Sequence, residues 1–584
     1  MKMNNPSLGR KRLLLLIFPW VILMGSIGVI AFDNLRDRGG PAAESAQATA
    51  IDPVCGMSVG THNAHSHLHN GKVWYFCNKA CLDSFVETPE DYAAMPATGE
   101  APTMKGIPTW MYQLGVAIII LLSFFVFERI KVKPADAVRY NLTRLPGVRA
   151  ALKSPALILI LRGITAAAFL LVIAAGLFGD QNPALNITPM LTWTVWWAGL
   201  VVVILFLGKA WCTVCPWDAI ASWVEKLSGG GLGLRWPASM RNIWFAVAFF
   251  IGLTWIELGM GITLIPRATA WIALGMLGLA IGSVLIFEKK AFCQYGCLVG
   301  RVSGLYAMFG ALEVRAADRG VCADCKTMDC YRGNEMGDPC PTNQFLKVMD
   351  QSTYCTMCTE CFKSCPEDNV ALQVRPWAAD MEVEGKPRTD EAFLALVLLS
   401  MTSFHGLTMT PRWGELSAQF PFTALMIVML ALPIVIYAVL VRASAAIAPE
   451  IGFKKLFIAY AYAMLPIALF YHLAHNAEHL LMEGPKLISL VSDPFGWGWN
   501  LFGTAGDLQA PWVTLEGLWG LQVIFVLVGH VYSLWISAKT TRRLIPDVAL
   551  GFKAQLPMLG AMIAFSVFSL WLLKQPMEMR VSAM

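Results

Sequence analysis

The sequence predicts a mainly α-helical membrane protein that crosses the bilayer many times and carries two small regions outside it. Of the 584 residues, 56% are hydrophobic and 15% are charged, and the mean hydropathy is +0.55; these values are typical of polytopic membrane proteins. Apolar runs as long as a bilayer is thick recur along the chain. The fifteen cysteines fall into short spaced motifs. The net charge of +5 is small for this length, and the Lys and Arg residues cluster at the ends of the apolar runs. This distribution excludes a basic surface for nucleic acid.

The apolar runs predict about eleven transmembrane helices of roughly 20 residues each. They lie at 13–32, 110–127, 156–178, 191–208, 242–261, 268–287, 392–410, 420–441, 456–475, 515–537 and 555–573. Membrane lipid is therefore an expected partner.

Positively charged residues predict the orientation of these spans. The connection 128–155 holds seven Lys and Arg residues, whereas 179–190 holds none. Because cytoplasmic loops carry the excess of Lys and Arg, the first connection is expected in the cytoplasm and the second in the periplasm. We therefore expect a multi-pass protein of the bacterial inner membrane with a cytoplasmic N-terminus, and the first span is expected to be an uncleaved anchor.

The organisation along the chain follows from these spans. The predicted segments are an N-terminal membrane anchor (1–32), a small external domain (33–109), a membrane domain with two cysteine pairs (110–312), a cytoplasmic cysteine-rich domain (313–377), a polar linker (378–391) and a membrane domain that contains histidines (392–584).

The cysteine-rich domain has the spacing of a ferredoxin with two clusters. The stretch YCTMCTECFKSCP, residues 354–366, follows the rhythm C-x2-C-x2-C-x3-C-P, in which the fourth cysteine binds the other [4Fe-4S] cluster. The upstream stretch VCADCKTMDC supplies a second set of three, and a later Cys-Pro supplies its crossed partner. The predicted ligands are Cys322, Cys325, Cys330 and Cys365 for one cluster, and Cys340, Cys355, Cys358 and Cys361 for the other. A structural zinc ribbon would need groups of four cysteines without crossed partners.

Two further cysteine pairs each follow a predicted span that ends on the cytoplasmic side. They are Cys212 with Cys215 in KAWCTVCPW, and Cys293 with Cys297 in AFCQYGCLVG. The two pairs could meet as one four-thiolate site, which would hold a third iron–sulfur centre or act as a redox-active dithiol. The alternative is two unliganded thiol pairs at helix ends.

A membrane helix that ends in C-x2-C-P, another that ends in C-x3-C, and a following two-cluster domain resemble the membrane-bound 4Fe-4S polyferredoxin family over about 190–377. That family includes the NosR type linked to nitrous oxide reductase, the NapH type of quinol dehydrogenase, and ferredoxin-like assembly factors of copper oxidases. The family usually has C-x3-C-P in both places, and this chain departs from it. The resemblance implies electron transfer from quinol or a cytoplasmic donor, without a specific partner.

The external domain resembles the YHS or TRASH-like heavy-metal-binding domains. The resemblance is carried by DPVCGM at 52–57, by YFC at 75–77, and by Cys81, Phe85, Pro89 and Tyr92. Cys77 and Cys81 would share one helical face, and with Cys55 they would form three thiolates, which favour copper(I) over zinc. A disulfide between two of the three is the alternative. An inserted loop, HNAHSHLH, adds further borderline ligands in His62, His65, His67 and His69.

The last membrane domain contains the other five histidines. His472, His475 and His479 form one helical stripe, His405 lies at a comparable depth on another span, and His530 lies deeper. Ionisable residues inside a membrane usually face a site. The stripe with His405 could hold a haem b between two imidazoles, or a copper or zinc ion, with Glu478 as a further ligand. The alternative is a set of isolated, hydrogen-bonded histidines.

Together these features predict an electron-transfer protein. Electrons would enter from the cytoplasmic side or from quinol, cross the bundle, and reach a periplasmic electron or metal acceptor, with copper as the expected metal. The chain would then be a membrane oxidoreductase of the metal reductase or quinol dehydrogenase kind. The alternatives are a heavy-metal transporter or chaperone with redox-sensing clusters, and a maturation partner of a periplasmic copper enzyme.

Overall fold

The computed structural model describes most of the chain after residue 48. The described residues are 49–51, 53, 58–60, 65–69, 72–76, 79–87, 89, 103–129, 139–383, 385–386, 388–507 and 511–578. The predicted span at 13–32 and the candidate ligands Cys55 and Cys77 lie outside these residues.

Within the described residues, ten long helices each coincide with a predicted span. In chain order they are α1 (Thr109–Arg129), α2 (Pro155–Phe178), α3 (Ile187–Leu207), α4 (Trp244–Gly259), α5 (Pro266–Ile286), α6 (Thr389–Thr408), α7 (Phe422–Ile447), α8 (Phe453–Glu478), α9 (Leu515–Leu544) and α10 (Val548–Lys574). Eight of the ten are long and apolar enough to cross a membrane, and α1 and α4 contribute shorter apolar stretches. The chain therefore fits a multi-pass membrane protein, while the total of eleven spans stays a prediction.

Helix α8 is the central helix of the bundle. Within an 18-residue apolar window, 89% of the residues are buried in the helical stretch Phe453–Ser492, which starts with α8, whereas 17% are buried in α2 and in α7. Helices α6 and α9 pack along α8. The exposed apolar faces of α2 and α7 suit contact with lipid, and α8 carries its polar side chains into the interior, as is usual for polar groups at membrane depth.

The two ends of the bundle differ in what they carry. Helices α3 and α5 finish at Leu207 and Ile286, shortly before the two cysteine pairs; we call this the cysteine end. The short strand Thr103–Met104, which follows the N-terminal region, pairs with Met577–Glu578 just after α10. Because α9 and α10 form a hairpin whose turn lies at the cysteine end, this pairing places residues 103–104 at the opposite end.

Shorter elements complete the fold. In the N-terminal region, β1 (Thr49–Ile51) pairs with β2 (Ser58–Gly60), and β3 (His65–His69) pairs with β4 (Lys72–Phe76). Strands β5 (Thr103–Met104) and β9 (Met577–Glu578) form the pair that joins the N-terminal region to the end of α10. The short helices are Lys79–Glu87, Val148–Lys153, Ala210–Thr213, Pro216–Leu227, Leu298–Tyr306, Arg319–Asp324, Asp329–Arg332, Glu360–Ser364, Ala379–Glu382, Pro411–Ser417 and Leu487–Ser492.

A three-stranded antiparallel sheet supports the cysteine-rich region. Strand β8 (Val370–Val374) lies between β6 (Tyr140–Asn141) and β7 (Leu312–Ala316). Val314, Leu346, Phe362 and Leu372 form a small apolar core, and Cys330, Cys355, Cys361 and Cys365 pack against it. The sheet therefore fixes the cysteine loops, and β6 joins them to the connection after α1.

The stretch 378–391 differs from the polar linker that the sequence predicts. Asp380 is buried and accepts hydrogen bonds from Arg315 and Arg375. Glu391 is buried and accepts from the hydroxyl groups of Tyr354 and Tyr462. The polar character of this stretch therefore reflects carboxylates that bind buried partners, not exposure to water. Through these contacts the stretch connects the cysteine-rich region to α6.

Candidate iron–sulfur and metal sites

The first four predicted cysteines surround one cavity, which we call the distal cavity. It is lined by Cys322, Cys325, Cys330 and Cys365. Asn369 donates from its side chain to Cys322 Sγ at 3.3 Å and from its backbone to Cys365 Sγ at 3.4 Å. Hydrogen bonds to ligand sulfurs are a common feature of iron–sulfur sites. The structure therefore brings together the set that crossed pairing predicts.

The second four surround the middle cavity, which is lined by Cys340, Cys355, Cys358 and Cys361, with Cys330 at its edge. The loop turns around Cys358 through two left-handed residues, Met357 and Thr359, with φ of 54° and 70°. Such conformations are uncommon outside glycine. They allow three cysteines of one short loop to face the same cavity.

The two membrane-side pairs meet in a third cavity, the membrane-side cavity, lined by Cys212, Cys215, Cys293 and Cys297. Helix Pro216–Leu227 starts directly after Cys215 with proline at its first position, where proline is favoured. Cys293 lies in a π-helical turn, Phe292–Gly296, and such turns are frequent at functional sites. Cys297 caps the next helix, and its Sγ accepts from the Gly300 backbone at 3.3 Å.

The three cavities form a continuous row. Cys330 and Leu346 line both the distal and the middle cavity. Thr356 and Cys358 line both the middle and the membrane-side cavity. The row therefore runs from the outer part of the cysteine-rich region to the cysteine end of the bundle.

The chemistry of the lining residues suits iron–sulfur centres. Each cavity offers four thiols, the donor set of a [4Fe-4S] centre, and among the described residues no group of three or more His, Cys, Asp or Glu is placed to hold a single ion. Burial raises the pKa of Cys297 and of Cys330 to about 11 and that of Cys358 to about 12. Since metals bind the thiolate, loading these sites would release protons.

Charged side chains surround the membrane-side cavity. Asp218 pairs with Lys290 at 2.5 Å and with Arg162 at 3.4 Å. No carboxylate of the described residues pairs with Lys209 or Arg301, and both donate to the Thr353 carbonyl. Burial, and then the charge of Arg301, lowers the pKa of Lys209 to about 8.

A file of aromatic rings leaves the membrane-side cavity towards the opposite end of the bundle. Trp211 and Trp217 line that cavity, and their ring centroids lie 5.7 Å and 5.5 Å from that of Trp196. The Trp197 ring lies 6.0 Å from Trp196 and 6.1 Å from the imidazole of His472. The rings connect the thiols to a second polar cavity.

The second polar cavity lies among α3, α4, α6 and α8, and we call it the histidine cavity. Its polar lining is Glu257, Thr254, Thr402, His405, His472, His475, Asn476 and His479. The four histidines predicted as a group are thus brought together. His472 Nδ1 lies 3.3 Å from the Tyr306 hydroxyl, and Tyr306 ends the helix that Cys297 caps.

The histidine cavity continues into buried carboxylates. His405 Nδ1 and His475 Nε2 lie 2.8 Å apart, and the rings of His475 and His479 lie 5.0 Å apart. His479 Nδ1 lies 3.3 Å from Glu483 Oε2. A π-helical turn, His479–Glu483, widens the backbone at this point, and it places His479 and Glu483 on the same side.

His530 is not part of this group. Its Nε2 lies 2.8 Å from the Ser123 hydroxyl, and its Nδ1 lies 2.9 Å from the Ser566 hydroxyl. Both ring nitrogens are therefore engaged in hydrogen bonds between helices. This arrangement corresponds to a satisfied interior histidine, the alternative to a metal ligand.

The N-terminal region has a compact aromatic core. Trp74, Phe76 and Phe85 are buried, and Cys81 packs against them from helix Lys79–Glu87. The part of the histidine-rich insert that the structure describes, His65–His69, forms strand β3 instead of the predicted loop, because it pairs along its length with β4; His62 lies outside the described residues. His67 and His69 are two residues apart and therefore lie on the same face of that strand. Both imidazole rings contact the Phe85 ring.

Comparisons with known families agree with these sites. Residues 50–95 match the YHS domain, and residues 189–235 and 268–313 match the 4Fe-4S binding domain. The two 4Fe-4S stretches contain the cysteine pairs of the membrane-side cavity. No curated protein and no solved structure matches the chain. A YHS domain and a 4Fe-4S binding domain are therefore present, which is consistent with a polyferredoxin that carries an N-terminal YHS domain.

Several residues around the sites were not singled out in the sequence. Glu257 lies on a different helix from its partner His405, so spacing could not have joined them. Glu483 follows its partner His479 by four residues, and this spacing could have marked it. Trp196 and Trp197 read as ordinary residues of a membrane helix. Lys209 has the position of a topology-determining charge at the end of a span, although its place three residues before Cys212 also marks it as a neighbour of the thiols.

Proposed function

We propose that this chain is a membrane-bound iron–sulfur electron-transfer protein that carries electrons from the cysteine-rich region, through the bundle, to a metal ion at the opposite end, with copper as that metal. The observation that carries the proposal is the row of three cavities, each lined by at least four cysteines and each sharing lining residues with the next. Iron–sulfur centres supply one-electron transfer.

The far end of the path is supported by two further observations. The aromatic file, Trp211 to Trp197, extends the row to His472 at the histidine cavity. Residues 103–104, which follow the YHS domain, attach at the end of the bundle opposite the cysteines. A YHS domain indicates heavy-metal binding, so the proposed acceptor lies at the end to which the path leads. The electron donor, quinol or a cytoplasmic protein, remains part of the proposal.

Vesicles that separate the two ends of the bundle test this function. The protein is reconstituted into lipid vesicles that enclose a copper(II) chelate and a chelator whose colour reports copper(I), and dithionite is added outside. We expect copper(I) to form inside the vesicles with the wild-type protein, and the rate to fall to that of protein-free vesicles for Cys355→Ala.

The same vesicles distinguish electron transfer from the alternative function, heavy-metal transport. If copper added outside accumulates inside equally fast with wild-type protein and with Cys355→Ala, a heavy-metal transporter is the better description. Copper(I) formation that is unaffected by the variant would refute the proposed electron path.

A further inference from the structure

Two buried cations lie between the membrane-side and the middle cavity. Lys209 follows α3 and precedes Cys212 by three residues, and Arg301 follows Cys297 by four residues. Their relative exposures are 2% and 1%. Lys209 lines the membrane-side cavity. Both side chains are thus withdrawn from water beside the thiols.

The two cations converge on one carbonyl group. Lys209 Nζ donates to the Thr353 oxygen at 3.4 Å, and Arg301 Nη2 donates to the same oxygen at 3.3 Å. Thr353 lies two residues before Cys355, a thiol of the middle cavity. Gly304 permits this approach, because a Cβ atom there would lie 2.4 Å from the Thr353 oxygen.

The hydrogen-bonding capacity of Arg301 is only partly used. Among the described residues, its Nε and Nη1 atoms have no hydrogen-bond partner, although both are buried. The guanidinium group lies over the Tyr354 ring, 4.3 Å from its centroid. A ring face attracts a cation only weakly, and this attraction is much less than the cost of a buried, unpaired charge.

Other buried or partly buried cations near the row have carboxylate partners. Lys290 and Arg162 share Asp218, and Arg315 and Arg375 share Glu313 and Asp380. In the described part of the chain, no carboxylate pairs with Lys209 or Arg301. Two like charges that are buried together without a counter-ion are strongly unfavourable, so the missing negative charge must be supplied by another group.

We infer that Lys209 and Arg301 are the counter-ions of the iron–sulfur centres in the membrane-side and middle cavities, and that they raise the reduction potentials of these two centres. The inference rests on the iron–sulfur centres of the proposed function. Four thiolates make each centre anionic, and reduction adds one electron and hence one negative charge. A nearby cation stabilises the more negative, reduced form most, because net charge is one determinant of the potential.

Redox titration of the anaerobically purified protein, followed by electron paramagnetic resonance, tests the inference. We expect Lys209→Met and Arg301→Leu each to lower the midpoint potential of at least one flanking centre, with a fall of about tenfold in the equilibrium constant for reduction, which is 59 mV for one electron. The charge-retaining variants Lys209→Arg and Arg301→Lys should stay close to the wild type. Cys212→Ala, Cys355→Ala and Cys322→Ala each remove one signal and so assign the three centres.

Two controls are built into the protein. The distal centre does not touch either cation and should keep its potential in every variant. Lys347 is an exposed lysine of the same region that donates to the Ala323 carbonyl, and water should screen its charge, so Lys347→Met should shift none of the potentials.

The inference is overturned if the flanking potentials stay unchanged while iron content is retained. It is also overturned if the charge-removing and charge-retaining variants lose iron equally, because the side chains would then act by packing alone, or if the wild type holds no centre in the membrane-side cavity. If the charge-removing variants show the predicted shifts but the wild type passes no electrons across vesicles, the proposed path is refuted and the counter-ion role is left intact.

Discussion

His405 Nδ1 and His475 Nε2 lie 2.8 Å apart, so the imidazoles of α6 and α8 are joined by a direct hydrogen bond inside the histidine cavity. One ring donates and the other accepts. Two imidazoles that bind opposite faces of a haem iron need the metal between them, with nitrogens about 4 Å apart if metal–nitrogen bonds are about 2.0 Å. The hydrogen-bonded pair therefore does not suit a bis-imidazole haem between His405 and His475, one of the pairings that the sequence allows.

Because every predicted haem pairing includes His405, and His475 already engages its Nδ1, we predict that the protein holds no haem b. We expect the anaerobically purified protein to show no Soret band that shifts on reduction with dithionite. His475→Ala should leave the visible spectrum unchanged, with iron–sulfur absorbance as the internal reference. A Soret band in the wild type that disappears in His475→Ala would show that the two rings separate to take up a haem.

The membrane-side cavity predicts a third centre that can be removed on its own. Cys212→Ala should lower the iron content by about four atoms per chain, and the signals of the distal and middle centres should persist, because Cys212 lines neither of their cavities. Cys81→Ala, a cysteine of the YHS domain, should leave the iron content unchanged. If Cys212→Ala retained all its iron, the four thiols of this cavity would hold no cluster.

Much of the cysteine-rich site could be predicted from spacing alone. Cys365 was assigned to the upstream set because a cysteine followed by proline reaches the other cluster in ferredoxins, and the structure places it with Cys322 in the distal cavity. The spacing of cysteines predicts such iron–sulfur sites because short loops limit which thiols can come together.

Relationships between distant segments could not be predicted in this way. The contact between Trp196 and Trp211 depends on how the short helix Ala210–Thr213 folds back on α3. The periodicity of the sequence does not indicate this fold. The acidic stretch 378–391 resembles a linker because carboxylates are usually exposed, but its Asp380 pairs with Arg315, which is 65 residues away in the chain.

The aromatic file predicts a specific effect of Trp196. Trp196→Leu should slow copper(I) formation in the vesicle assay severalfold while iron content stays unchanged, because the ring that lies between Trp211 and Trp197 is lost. Trp196→Phe, which also leaves a smaller side chain but keeps a ring, should be slowed less. Trp110→Leu, at an exposed position of α1, serves as the control. Equal rates for Trp196→Leu and wild type would contradict a role of the file.

The buried ion pairs of Asp380 predict a stability difference between two aspartates. Asp380 accepts from Arg315 at 2.9 Å and from the Ser352 backbone at 2.6 Å, and it is buried. Asp380→Asn leaves arginine charge uncompensated, and we expect it to cost about 3–5 kcal/mol. Asp350→Asn removes an exposed pair with Arg319 and should cost less than about 1 kcal/mol. Unfolding by denaturant in detergent measures both, and similar costs would refute the structural role of Asp380.

The most direct test of the account is the inventory of metal and sulfide in the protein purified without oxygen. Three centres in the row of cavities predict about twelve iron atoms and about twelve acid-labile sulfides per chain, with zinc below stoichiometric amounts. About eight irons would show that the membrane-side cavity holds no centre, and the row of three centres would then be incomplete. Stoichiometric zinc without sulfide would contradict the electron-transfer account altogether.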